Sequence, residues 1–146
     1  MKSILHGVAG AIALVCIATF WTSTVVAELF LAPHDVAAVK NAVLTGMWLL
    51  IPAMAMTGAS GFVNARGRRG GLIEAKGRRM KVIAANGLLV LLPSAFVLAA
   101  WANDGRFDTG FYALQVVELL AGAVNVTLLV RSMRDGLRLT GRVAAR

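Results

Sequence analysis

The chain has 146 residues, 58% of them hydrophobic, and a formal net charge of +8 at neutral pH. So apolar a chain of this length cannot cover its own surface with polar groups, which excludes an ordinary soluble domain and points to a membrane protein. The basic residues flank apolar runs and lack interleaved aromatic rings, which argues against a groove for nucleic acid.

A helix needs roughly 20 apolar residues to cross the hydrocarbon core. Four runs qualify, at about 4–31, 39–62, 82–101 and 109–131. They are too continuously apolar for the alternating strands of a barrel, and backbone groups in lipid must be satisfied internally. The expectation is a single all-α domain, an integral membrane four-helix bundle.

The first run follows Lys2 and contains His6, Cys16, Thr24 and Glu28. Val25-Val26-Ala27 before Glu28 loosely resembles a signal-peptide cleavage site. The stretch exceeds the usual 7–15 apolar residues, and Phe20 and Trp21 crowd the site, which favours a retained span. Cys16 is the sole cysteine, so an intrachain disulfide and the usual cysteine metal sites are excluded. Glu28 is expected at the outer interface near Lys40, in a loop that also holds Asp35.

On the second run, Asn41, Thr45, Trp48 and Pro52 share a helical face, expected to line a partly polar interior. Residues 63–81 then form a basic loop in which Arg66, Arg68, Arg69, Lys76, Arg78, Arg79 and Lys81 face only Glu74. Ala65-Arg66-Gly67-Arg68-Arg69 returns as Ala75-Lys76-Gly77-Arg78-Arg79. The block reads as a topology signal and as a contact for anionic lipid headgroups of the inner leaflet.

The third run places Asn86, Val90, Pro93 and Val97 on one face. Pro52 and Pro93, near mid-span, are expected to kink their helices. Phe30, Trp101, Phe107, Phe111 and Tyr112 are expected at the outer interface, and Trp21 and Trp48 in packing contacts.

The fourth run carries Tyr112, Gln115, Glu118, Gly122 and Asn125 at spacings that put all five on one face. Glu118 lies roughly 15 Å deep, where an ionisable group is costly and is by default a functional hypothesis. The basic tail 132–146 follows. Arg131, Arg134 and Arg138 recur at helical spacing, so the helix is expected to run on along the inner surface. Lys2, the 63–81 loop and the tail all favour the cytoplasmic side, which places both termini there.

The candidate intramembrane polar site is thus Glu118, Gln115, Asn125, Asn86, Asn41 and Glu28. Small residues, among them Gly46 and Gly122, suit close helix contact within the bundle, in a homo-oligomer or on a larger membrane complex. His6 and His34 stand roughly 42 Å apart along a helix and cannot clamp one haem within a protomer. A haem b held by His6 with Met54 or Met56, or shared across a dimer, stays open. No zinc spacing, phosphate-binding glycine loop or nucleophile triad is present, so an enzyme is not expected.

Phe20-Trp21-Thr22-Ser23-Thr24 with Glu28-Leu29-Phe30, Arg79-Met80-Lys81 through Asn86-Gly87-Leu88, Phe111-Tyr112 through Glu118-Leu119-Leu120, and Arg134-Asp135-Gly136-Leu137 carry a resemblance. Across most of its length the chain resembles small, uncharacterised inner-membrane proteins of Gram-negative bacteria, some loosely labelled transporters. That resemblance implies a multi-pass protein of the bacterial inner membrane and no particular chemistry. Three functions fit the sequence: a small oligomeric transporter or proton- or cation-coupled carrier, an accessory or assembly subunit of a membrane complex, and a haem-binding electron-transfer protein.

Overall fold

A computed structural model of the protein describes residues 2–65 and 70–139. Arg66, Arg68 and Arg69 of the basic loop and Arg142 and Arg146 of the tail lie outside the described residues. The elements are α1 (Lys2–Phe30), α2 (Pro33–Ala65), α3 (Gly71–Asn86), a π-helical turn (Gly87–Leu91), α4 (Leu92–Asn103) and α5 (Thr109–Leu139). Because α3, the π turn and α4 run on as one rod, the chain makes four spans, each long and apolar enough to cross a membrane. The all-α four-helix bundle expected from the four apolar runs is what forms. The short connections at 31–32 and 104–108 mark one end, the hairpin end, and the start of α1 and the end of α5 mark the other, the terminal end.

Each helix starts or stops for a local reason. α2 begins at Pro33 and not near residue 39, because proline lacks the N–H that a first helical residue would leave unbonded. The Ala32 carbonyl accepts from Asp35 (2.9 Å) and Val36 (3.1 Å), and Asp35 sits at the positive end of the helix dipole. α4 ends in a paired cap: the Arg106 N–H bonds the Trp101 carbonyl at 2.8 Å and the Gly105 N–H bonds that of Ala102 at 3.1 Å. Gly105 has φ 68°, a left-handed turn that glycine adopts without strain. α5 then opens on Asp108, whose Oδ1 accepts from the Phe111 N–H at 2.9 Å.

The basic segments are more helical than the apolar runs indicate. Charge ends the hydropathy signal, yet lysine, arginine and glutamate are good helix formers. α3 therefore starts at Gly71, inside the expected loop, and α5 continues through Leu139. That extension packs on α3, with Arg79 Nη2 2.6 Å from Asp135 Oδ2 and Lys76 Nζ lying against Gly136. The helix thus runs on past the fourth apolar run as one continuous α5.

Lipid tails give helices little hydrophobic reason to associate, so close fit must do it. Two rings of α1 supply that fit. Phe20 lies on Gly46 of α2 so closely that any Cβ there would collide with the ring. Trp21 lies on Gly122 of α5, where a Cβ would stand 2.8 Å from Trp21 Cδ1, and its indole N–H bonds the Leu119 carbonyl at 2.9 Å. One apolar cluster at the hairpin end gathers Ala27, Val36, Leu98, Ala102 and Phe111. Another, nearer the termini, gathers Ile17, Ile83 and Leu129.

The π turn meets the proline problem. Pro93 cannot donate to the preceding turn and its ring crowds the carbonyl four residues back. The Leu92 N–H bonds Gly87, five residues back, which widens the helix at this point. Pro52 sits inside α2 with no such interruption. Several expected orientations are corrected. Asn41, Thr45, Trp48 and Pro52 face away from the bundle, with Trp48 85% exposed, because α2 turns its Val36, Val43 and Ala53 face inward. Pro93, Val97 and Tyr112 also point outward, whereas Phe111 is buried in the hairpin-end core with its ring edge-on to Phe107.

Candidate intramembrane site

The Gln115–Glu118–Gly122–Asn125 stripe of α5 does face inward. What it meets there includes a residue that hydropathy alone assigned to a loop. Lys40 lies about 10 Å along α2 from Pro33, on the same face as Val36 and Val43, and is only 3% exposed. Its ammonium donates to Glu118 Oε2 at 2.7 Å and to Gln115 Oε1. Gln115 Nε2 donates to the same Glu118 oxygen at 3.0 Å, so all three side chains form a closed triangle between α2 and α5.

Glu28 of α1 stands within electrostatic reach of both Lys40 and Glu118. Its Oε1 is buried and accepts no hydrogen bond. The cluster therefore brings two partly buried carboxyl groups to one buried ammonium. If both acids were ionised, one negative charge would stay uncompensated, at a cost that protonation of one carboxyl removes.

Below Glu118, toward the termini, lies a cavity of about 60 Å³ reached by Phe20, Trp21, Thr24, Met47 and Gly122. Ligand pockets for small organic molecules run to about 300 Å³ or more. This one has room for a water or two.

Asn86 and Asn125 form a second polar contact deeper in the bundle. Asn86 Nδ2 donates to Asn125 Oδ1 and to the Ala121 carbonyl, both at 2.8 Å, and Asn125 Nδ2 donates to the Ile83 carbonyl at 3.3 Å. These bonds clasp the third span to the fourth just before the π turn. Asn41 joins neither group: it exchanges two hydrogen bonds with Asn103, at 2.9 and 3.0 Å, on the exposed side of the hairpin end. Of the six candidate polar residues, Gln115, Glu118 and Glu28 come together, Asn86 and Asn125 form a separate pair, and Asn41 stands apart.

The two histidines lie at opposite ends. His6 Nδ1 is 3.0 Å from Ser60 Oγ, and the Ser60 hydroxyl donates to the Met56 carbonyl, which leaves the imidazole as donor. His34 is exposed beside Asp35, 3.2 Å away. Among the described residues no group of three or more His, Cys, Asp or Glu side chains is placed to hold a metal ion. In the basic segment, Arg78 and Lys81 are exposed on α3, while Arg79 and Lys76 turn toward α5.

Four apolar spans around a small charged interior define the protein as a multi-pass membrane protein. No protein-family model, curated protein or solved structure matches the chain.

Proposed function

We propose that the protein is a small oligomeric proton-coupled carrier of the bacterial inner membrane, in which Glu118 and Glu28 exchange one proton beside Lys40. The observation that carries this reading is the charge imbalance of the cluster, two partly buried carboxyl groups to one buried ammonium, together with the unbonded Glu28 Oε1. Ionisable groups within a span are costly and are kept where protons or ions move. Lys40 already supplies the cation at the Glu118 carboxyl, which favours a proton over an alkali or divalent ion. The cavity beside Glu118 is too small for an organic cargo, so any such path runs between copies of the chain.

Infrared titration of the protein in lipid nanodiscs tests the proton. A protonated-carboxyl stretch is expected that fades as pH rises and is removed by Glu118→Gln or Glu28→Gln. A spectrum with no titrating carboxyl band, or one unchanged in both variants, refutes the assignment. In proteoliposomes carrying a pH dye, Glu118→Gln is further expected to lower proton flux. Equal flux from a folded variant would remove Glu118 from the mechanism.

An accessory role is favoured by a different observation. Trp48, 85% exposed, stands on the outward face of α2 with an indole N–H that no described residue accepts, and lipid offers that donor nothing. Native mass spectrometry from mild detergent would show a second subunit on that face, and its absence counts against this reading.

A further inference from the structure

At the terminal end, α3 and α5 part to leave an open cleft of about 360 Å³ lined by Arg79, Arg131, Arg134 and Asp135. Arg131, Arg134 and Asp135 recur at helical spacing on α5, and Arg79 reaches across from α3 to Asp135 at 2.6 Å. One carboxylate therefore answers three guanidinium groups. It is engaged by Arg79, and among the described residues neither Arg131 nor Arg134 has a side-chain partner. The cleft is a concave, doubly positive surface whose planar forks suit phosphate oxygens.

The surroundings indicate which phosphate. One to three turns further into the membrane, Val82 on α3 and Val124 and Leu120 on α5 are all exposed on the outside of the bundle. Cationic forks at the end of a span with an apolar track leading away from them match the division between a headgroup and its acyl chains. We propose that this cleft binds the phosphate of an anionic phospholipid, with Arg131 and Arg134 as its direct ligands and Arg79 held in place by Asp135. It is a defined seat, distinct from the diffuse attraction of the exposed Arg78 and Lys81, and it does not depend on the proton-carrier reading.

The test uses purified protein in a neutral detergent, titrated with phosphatidylglycerol or phosphatidylcholine and read by native mass spectrometry. Phosphatidylglycerol is expected to bind in preference to phosphatidylcholine. Arg131→Ala with Arg134→Ala should weaken that binding about thirtyfold, since each basic residue beside an anionic headgroup is worth about fivefold. Arg78→Ala with Lys81→Ala removes as much charge from α3 outside the cleft and takes away only diffuse attraction, so its loss should be several-fold smaller than that of the cleft pair. If the first pair fails to fold, Arg131→Gln with Arg134→Gln serves the same comparison. Equal losses from the two pairs would show charge without a seat and overturn the proposal. Displacement of the lipid by inorganic phosphate at matching concentration would overturn the lipid assignment.

Discussion

Replacing Lys40 by methionine keeps the length and apolar stem of the side chain and deletes only the ammonium. That ammonium is 3% exposed and its partner Glu118 is 13% exposed, so solvent screens the pair little. Exposed pairs are worth about 0.2–1 kcal/mol, whereas removing one partner of a buried pair costs about 3–5 kcal/mol, because the other charge is left without compensation. Helices separated in a membrane-like medium still find some polar partners, which argues for the lower end, about 3 kcal/mol. Lys40→Met leaves two acids facing each other, while Glu118→Gln leaves Lys40 with Glu28 in reach. The second change should therefore cost less than the first, and adding Glu118→Gln to Lys40→Met should restore part of the loss. Reversible unfolding in mixed micelles with rising dodecyl sulfate, followed by helical circular dichroism, measures all three variants. A cost below about 1 kcal/mol for Lys40→Met, in the range of an exposed pair, would refute the desolvated cluster. So would a double variant no more stable than Lys40→Met alone.

Gly122→Ala places a methyl group against Trp21 and is expected to lower stability by about 1–3 kcal/mol in the same unfolding assay, as overpacking does. Asn125→Leu breaks the clasp to Asn86 and Ile83 and should cost about 1 kcal/mol, with less than additive loss when combined with Asn86→Leu. At the α5 cap, the Arg106 side chain bonded to Asp108, helped by the Phe111 N–H, holds the Asp108 carboxyl below its ordinary value. The folded state thus favours the ionised cap. Its contribution is complete above the ordinary aspartate range and disappears only as pH falls through the lowered value. The Phe111 amide shift in NMR should titrate below the range of a free aspartate, and Asp108→Ala should speed exchange of that amide at neutral pH.

Span number and helical class were legible because length and hydropathy decide them without knowledge of neighbours. So was the inward stripe of α5, since its polar residues recur at helical spacing in an otherwise apolar run. Lys40 was not, because a lone charge near the end of an apolar stretch reads as a boundary. Pro33 at the first helical position with Asp35 behind it, and the recurrence of Val36, Lys40 and Val43 on one face, are the signals that would have moved it inside. The α2 stripe of Asn41, Thr45, Trp48 and Pro52 misled for the complementary reason. Outward and inward surfaces are equally oily in a membrane, so hydropathy does not orient a helix. The Arg79, Arg131 and Arg134 cleft depends on two segments far apart in the chain meeting side by side, which helical extension beyond the apolar runs makes possible.

The widened turn at Gly87–Leu91 sets a phase as well as easing a proline. A π turn takes up one residue more than an α turn, so everything after it is rotated by about 100° relative to an unbroken helix. Ala95, Leu98 and Ala102 return to the inward face of Ile83 through that offset. Shortening the segment by a single residue would leave the rod helical and able to cross the bilayer. It would also swing those three side chains off their seat and present a different edge of the third span to its neighbours.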